Sequence, residues 1–121
     1  MGAKLAEPDR PILVLIGDGG LLFATGDLAT LIQYQIPIII VVFNDHCYGS
    51  IRKAQRQNFG RTIGVDLQNP DFCALAQAFG IPATQVSAPA QLTAALRAAW
   101  QTPQPHLIEI AMTPNDPGFE I

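Results

Sequence analysis

At 121 residues, 49% hydrophobic and only 14% charged, the chain has length for one domain with a real core and not for two. A formal charge of −3 and a pI near 5.1 give no electrostatic reason to expect nucleic acid or an anionic membrane as a partner. Cys47 and Cys73 stand 26 positions apart with no CxxC pair and no secretory signal, so a disulfide framework is not expected and a reducing cytoplasm is. The longest apolar stretch, "IPIIIVVF", is too short to span a bilayer, and "MGAKLAEPDRP" puts Ala6 where a myristoylation signal needs Ser or Thr, so no membrane anchor is expected.

Taken along the chain, Ile12 to Ile16 and Ile38 to Phe43 are continuous runs rich in Ile and Val, the pattern of strands buried on both faces of a parallel sheet. Between them "GDLATLIQYQ" sets Leu28, Leu31, Ile32 and Gln35 at helical spacing, which predicts a strand, helix, strand crossover. Arg52, Lys53, Arg56 and Arg61 in "IRKAQRQNFGR" read as a solvated helix face. Asn69 before Pro70 predicts an N-cap for a helix over about 70–79, with Gly80 as its stop. "ATQV" is a short strand. Ser87 is the expected cap of "PAQLTAALRAAW", where Leu92, Ala95, Leu96, Ala99 and Trp100 form one apolar stripe, and "HLIEIAM" is the last strand. Trp100, Phe72 and Phe79 are expected in the core. The expected fold is therefore one α/β domain over residues 1–121, a parallel sheet of about four strands with helices on both faces, and a polar tail from about 113.

Open parallel sheets take ligands beyond the carboxyl ends of their strands. Asp18 in "GDGG" follows the first strand and Asp45 in "NDHCYG" follows the next, so residues 27 positions apart reach one edge. Two bare carboxylates there repel, and a divalent cation relieves that repulsion. Asp and Asn oxygens with backbone carbonyls suit Mg²⁺ or Ca²⁺ better than zinc. Gly19 and Gly20, at the start of a helix, expose backbone N–H groups of the kind that receive phosphate oxygens. The G-x-G-x-x-G dinucleotide pattern fails at Leu22, and no Lys followed by Ser or Thr makes a P-loop. His46 and Cys47 have only the distant His106 to complete a zinc site, which is too little.

Gly17-Asp18-Gly19, then 24 residues to Asn44-Asp45, then Tyr48-Gly49, resembles the GDG and NN cofactor motif of the thiamine diphosphate enzymes. "GAKLAEPDRPILVLIGDGGLLF", "DLATLIQYQIPIIIVVFND" and "VDLQNPDFCALAQAFG" are similar to the C-terminal, diphosphate-binding domain of the acetolactate synthase and benzoylformate decarboxylase branch, from about Gly2 to Met112. The resemblance implies thiamine diphosphate and Mg²⁺ as cofactors. Asp18 and Asp45 would bind the metal by side-chain oxygens and Cys47 by its backbone carbonyl. Gly17, Gly19, Gly20, Asn44, Tyr48 and Gly49 would form the cofactor-binding set, with Asn44 holding the loop by hydrogen bonds. The chain departs from the family at Asp45, where the second Asn of NN would stand; aspartate keeps the ligating oxygen and adds a charge.

The resemblance also implies a partner: a pyrimidine-binding domain, of the same or another subunit, carrying the activating glutamate. The upstream strand of the diphosphate domain would precede Met1, so the domain reads as truncated on its N-terminal side. The expected role is therefore part of a 2-oxo acid decarboxylase or carboligase, inactive alone and without a catalytic residue of its own. Apolar surface near Leu21, Leu22, Phe23 and the open sheet edge predicts a homo-oligomer. A flavodoxin-like or response-regulator-like Mg²⁺ domain is the alternative, since such domains also carry acids at strand tips.

Overall fold

The computed structural model describes residues 1–112, so the expected polar tail lies outside the described residues. Strands β1 (Leu13–Gly17), β2 (Ile39–Asn44), β3 (Ala83–Val86) and β4 (His106–Ala111) form one parallel sheet in the order β1-β2-β4-β3. Helices α1 (Gly2–Ala6), α2 (Asp18–Phe23), α3 (Asp27–Gln33), α4 (Gly49–Phe59), α5 (Phe72–Ala78) and α6 (Pro89–Trp100) complete the α/β architecture that the alternating runs predict.

Alternation along the strands divides the core into two layers of apolar contact. Ile38, Ile40 and Val42 face Leu21 of α2, Leu28 and Leu31 of α3, and Phe72 and Ala76 of α5. Ile39 and Val41 face the other way, in a cluster with Ala99, Leu92, Ala95 and Leu96 of α6. The stripe read from "PAQLTAALRAAW" thus packs as expected except at its last member: Trp100, the final residue of the helix, is 50% exposed and not in the core.

Several other expectations change in detail. β1 pairs only with β2, and Leu13 and Leu15, on the α6 face of the sheet, are 40% and 64% exposed. A continuous apolar run is therefore not a strand buried on both faces here, since α6 packs over β2, β3 and β4. Asn69 does not cap α5. Asp71 does, accepting from the Ala74 N–H at 2.8 Å, and the helix starts at Phe72. Its stop is as read: Gly80 follows with φ 80°, a left-handed conformation that glycine adopts without strain. At α6 the cap position is Ala88 with no side-chain bond, and Ser87 instead donates its N–H to Gln91 Oε1 at 2.9 Å. Phe72 is fully buried and Phe79 partly so. Leu21, expected on open surface, is buried under α2, Leu22 is half-buried, and Phe23 alone of the three projects fully, at 85% exposed.

Candidate functional site at the carboxyl ends of β1 and β2

β1 ends at Gly17 and the chain turns directly into α2, so Asp18 is the first residue of a helix rather than part of a free loop. That position favours a carboxylate, because the first amides of a helix have no partner within it. Oδ1 of Asp18 accepts the Gly19 N–H at 2.7 Å, and Oδ2 accepts Asn69 Nδ2 at 2.6 Å. With 2% of its surface exposed, Asp18 is buried. Asp45, by contrast, is half-buried.

β2 ends at Asn44, and the turn that follows places His46 at φ 56° and returns the chain to α4 at Gly49. The segment is held from behind: Tyr48 N–H donates to Val65 O at 2.9 Å and Leu67 N–H to His46 O at 2.8 Å. Asp45 turns inward on its own loop, where Oδ1 accepts the Cys47 N–H at 3.3 Å and Oδ2 accepts the Cys47 thiol at 3.0 Å. Burial first, and then the Asp45 carboxylate, push the Cys47 thiol up to about 12, so it stays protonated at neutral pH.

Two contacts join the strand-end loops. The edge of the Tyr48 ring lies over Gly19 so closely that a Cβ there would fall 2.8 Å from Tyr48 Cδ1, which leaves room for glycine alone. Asn69, meanwhile, donates from one nitrogen to both Asp18 Oδ2 at 2.6 Å and Asn44 Oδ1 at 2.8 Å. Asn44 passes the chain on, donating to Glu109 Oε1 at 2.7 Å. Asp18 and Asn44 are thus brought together through Asn69. Gly17 is exposed at the N-cap of α2, Gly20 is exposed in its first turn, and Gly49 sits close enough to Asp45 that a Cβ would be 3.1 Å from Oδ2.

Asn69 and Glu109 were not among the site residues read from the sequence. Asn69 carried a complete local explanation as a helix cap before Pro70, which hid it. Glu109 did leave a signal, one carboxylate inside the apolar strand "HLIEIAM", and it is buried. Among the described residues, Asp71, Cys73 and Glu109 are the group whose ligand atoms fall within 4.8 Å of one another. Asp71 is occupied as the α5 cap and Glu109 by Asn44, so both acids already serve the fold. His106 begins β4 at the opposite end of the sheet from His46, which disposes of the zinc reading.

An open parallel sheet with acid-bearing loops at adjacent strand ends is the architecture of a domain that binds its ligand at that edge. Residues 1–110 match the family model described as "Thiamine pyrophosphate enzyme, C-terminal TPP binding domain", and the chain belongs to that family. It is 32% identical over 117 residues to a probable acetolactate synthase large subunit of Methanococcus aeolicus, covering 95% of this chain and 20% of the relative. It is 30% identical over 118 residues to benzoylformate decarboxylase of Pseudomonas aeruginosa, covering 97% and 22%. In three dimensions it superposes on the Rhodococcus jostii RHA1 thiamine diphosphate-dependent 4-hydroxybenzoylformate decarboxylase with a TM-score of 0.86 at 36% identity, over 93% of this chain and 21% of that one. The chain spans about a fifth of the length of these relatives. Family membership sets aside the flavodoxin-like alternative, and thiamine diphosphate is the cofactor of the family.

Proposed function

We propose that this chain holds the metal and diphosphate half of the active site of a 2-oxo acid decarboxylase or carboligase. The observation that carries the reading is the locking together of the two strand-end loops, by Asn69 across Asp18 and Asn44 and by Tyr48 over Gly19. In this reading Asp18, Asp45 and the Cys47 carbonyl hold Mg²⁺, a set of hard oxygen donors that suits the ion. Gly17, Gly19, Gly20, Asn44, Tyr48 and Gly49 surround the diphosphate. The fit has one supporting feature beyond the donor set: Asn69 Oδ1 is buried without a hydrogen-bond partner, as a polar site awaiting a ligand or its water would leave it.

Binding asks for two local changes. The Gly19 N–H is taken by Asp18 Oδ1, so a phosphate oxygen must share or replace that acceptor. Asp45 must turn from the Cys47 N–H and thiol toward the metal, which its half-buried position permits. Bound thiamine diphosphate supplies an electron sink for loss of CO₂ from a 2-oxo acid or for carbon–carbon bond formation. In this reading the site residues of this chain bind and orient the cofactor. A pyrimidine-binding domain, of the same or another subunit, supplies the activating glutamate, so the chain alone turns over no 2-oxo acid. In the cytoplasm it functions as a homo-oligomer, with exposed Phe23 among its contacts and little dependence on salt.

Thermal melting tests the site directly. Thiamine diphosphate with Mg²⁺ raises the melting temperature above the value with Mg²⁺ alone if the reading holds, since a ligand that binds the folded state stabilises it. No additional shift from the cofactor overturns it. Sedimentation at low and high salt tests the assembly, which a monodisperse monomer in both would refute.

A further inference from the structure

We propose that Asn69 is a positioning residue that sets the Asp18 carboxylate for the metal and couples it to the β2 strand end. The proposal rests on the reading of this cluster as a metal and diphosphate site, and it concerns a residue outside the motif that identifies the family.

The hydrogen-bond chain has a forced direction. Its ends, Asp18 and Glu109, are buried carboxylates that accept. Asn44 gives its Nδ2 to Glu109 and so presents Oδ1 to Asn69, which must donate to both Asn44 Oδ1 and Asp18 Oδ2. Both protons of Asn69 Nδ2 are thereby used. Turning that amide over would face its oxygen to two acceptors, so the network admits one orientation. Asp18 has one oxygen on the Gly19 N–H and the other on Asn69, which fixes the carboxylate plane between two donors and leaves a lone pair on each oxygen for a cation.

The backbone around Asn69 suits this task. Pro70 restricts Asn69 to extended conformations, and two residues on, Phe72 is fully buried at the start of α5. Asp71 performs the capping, which frees the Asn69 side chain to reach across to the strand ends. The remaining polar atom, Oδ1, is buried and unpaired, a cost that a purely structural amide would have no reason to carry at this spot. It is an acceptor on the same side chain that grips Asp18, and it would accept a hydrogen bond from a bound ligand or its water.

The test uses the 121-residue chain and its Asn69→Ala and Asn69→Ser variants, with Mn²⁺ as the probe ion, titrated by electron paramagnetic resonance at saturating thiamine diphosphate. Groups that orient metal ligands typically contribute about 10- to 100-fold in metal affinity. The expected result is a loss of that size for Asn69→Ala and a smaller one for Asn69→Ser, which retains one donor, measured on proteins that unfold cooperatively without ligand. A lower melting temperature of the ligand-free variant with unchanged Mn²⁺ affinity would show a merely structural role and overturn the proposal. Should Asn69→Ala not fold, Asn69→Ser decides alone: weaker Mn²⁺ binding supports the proposal and parental affinity overturns it. Failure of the parent chain to bind Mn²⁺ with thiamine diphosphate would overturn the site itself, a result distinct from parental binding that the variants retain.

Discussion

β1 and β2 are apolar runs of similar composition, each delivering one aspartate to the same edge of the sheet, yet their burial runs in opposite senses. β2 has β1 and β4 on its two edges, α2 beneath it and α6 above, and Val42 is wholly buried. β1 has a strand on one edge and helical cover on one face, which leaves Leu13 and Leu15 in the open. At the tips the order reverses: exposed β1 delivers the buried Asp18, and buried β2 delivers the half-buried Asp45. A strand's burial is decided by its neighbours in the sheet, and a strand-end residue's burial by the loop that folds over it. Here that loop is the segment bearing Asn69.

The sharpest way to break this comparison is a charge on each strand. Val42→Asp buries an unpaired carboxylate and should cost more than about 4 kcal/mol, enough to unfold the chain in urea titrations. Leu15→Asp should change stability by no more than about 0.5 kcal/mol. Equal effects would mean that the α6 face of β1 is covered in solution.

The aspartates give the next contrast. Asp18→Ala strips the Asn69 amide and the Gly19 N–H of their acceptor, which should lower unfolding stability by about 1 to 3 kcal/mol. Asp45→Ala should lower it by less than about 1 kcal/mol, since its partners lie on its own partly exposed loop. Both should abolish the Mg²⁺-dependent response to thiamine diphosphate, whereas Asp45→Asn, which restores the family residue, should keep it. Binding by Asp45→Ala equal to that of the parent would remove Asp45 from the metal set.

The glycines offer a smaller difference. Gly19→Ala must displace the Tyr48 ring and should cost about 1 to 2 kcal/mol with loss of the cofactor response. Gly49→Ala meets Asp45 Oδ2 at 3.1 Å, a side-chain atom able to rotate away, and Cys47 Sγ at an ordinary 3.9 Å, and should cost less than about 1 kcal/mol in the same denaturation assay.

The last contrast is one of pH and is absent at neutral pH. Burial first, and then the nearby Glu109 charge, raise the Cys73 thiol to about 11 from an ordinary 9.0. The folded chain therefore holds a proton that the unfolded chain releases above 9.0, and stability falls as pH rises from 9.0 towards about 11. Cys73→Ser should lessen the fall of the urea midpoint across that window, leaving the part due to Cys47, and leave it unchanged at neutral pH.

Much of this molecule is written in short-range pattern. Ile and Val runs make the strands, Leu28 and Leu31 at helical spacing make the crossover, and Gly80 ends α5, because periodicity and backbone restriction act over a few residues. The GDG spacing also marks Asp18 and Asp45 for one edge, since parallel strands joined by a crossover present their carboxyl ends together. Tertiary structure alone decided which carboxylate was buried and what held it. Asn69 reads locally as a cap and Glu109 as an oddity within a strand, and they gain meaning only where positions 51, 25 and 65 residues apart share hydrogen bonds. The physical reason is that propensity and hydrophobic pattern are properties of a segment, whereas the satisfaction of a buried polar group depends on which distant segment folding brings against it.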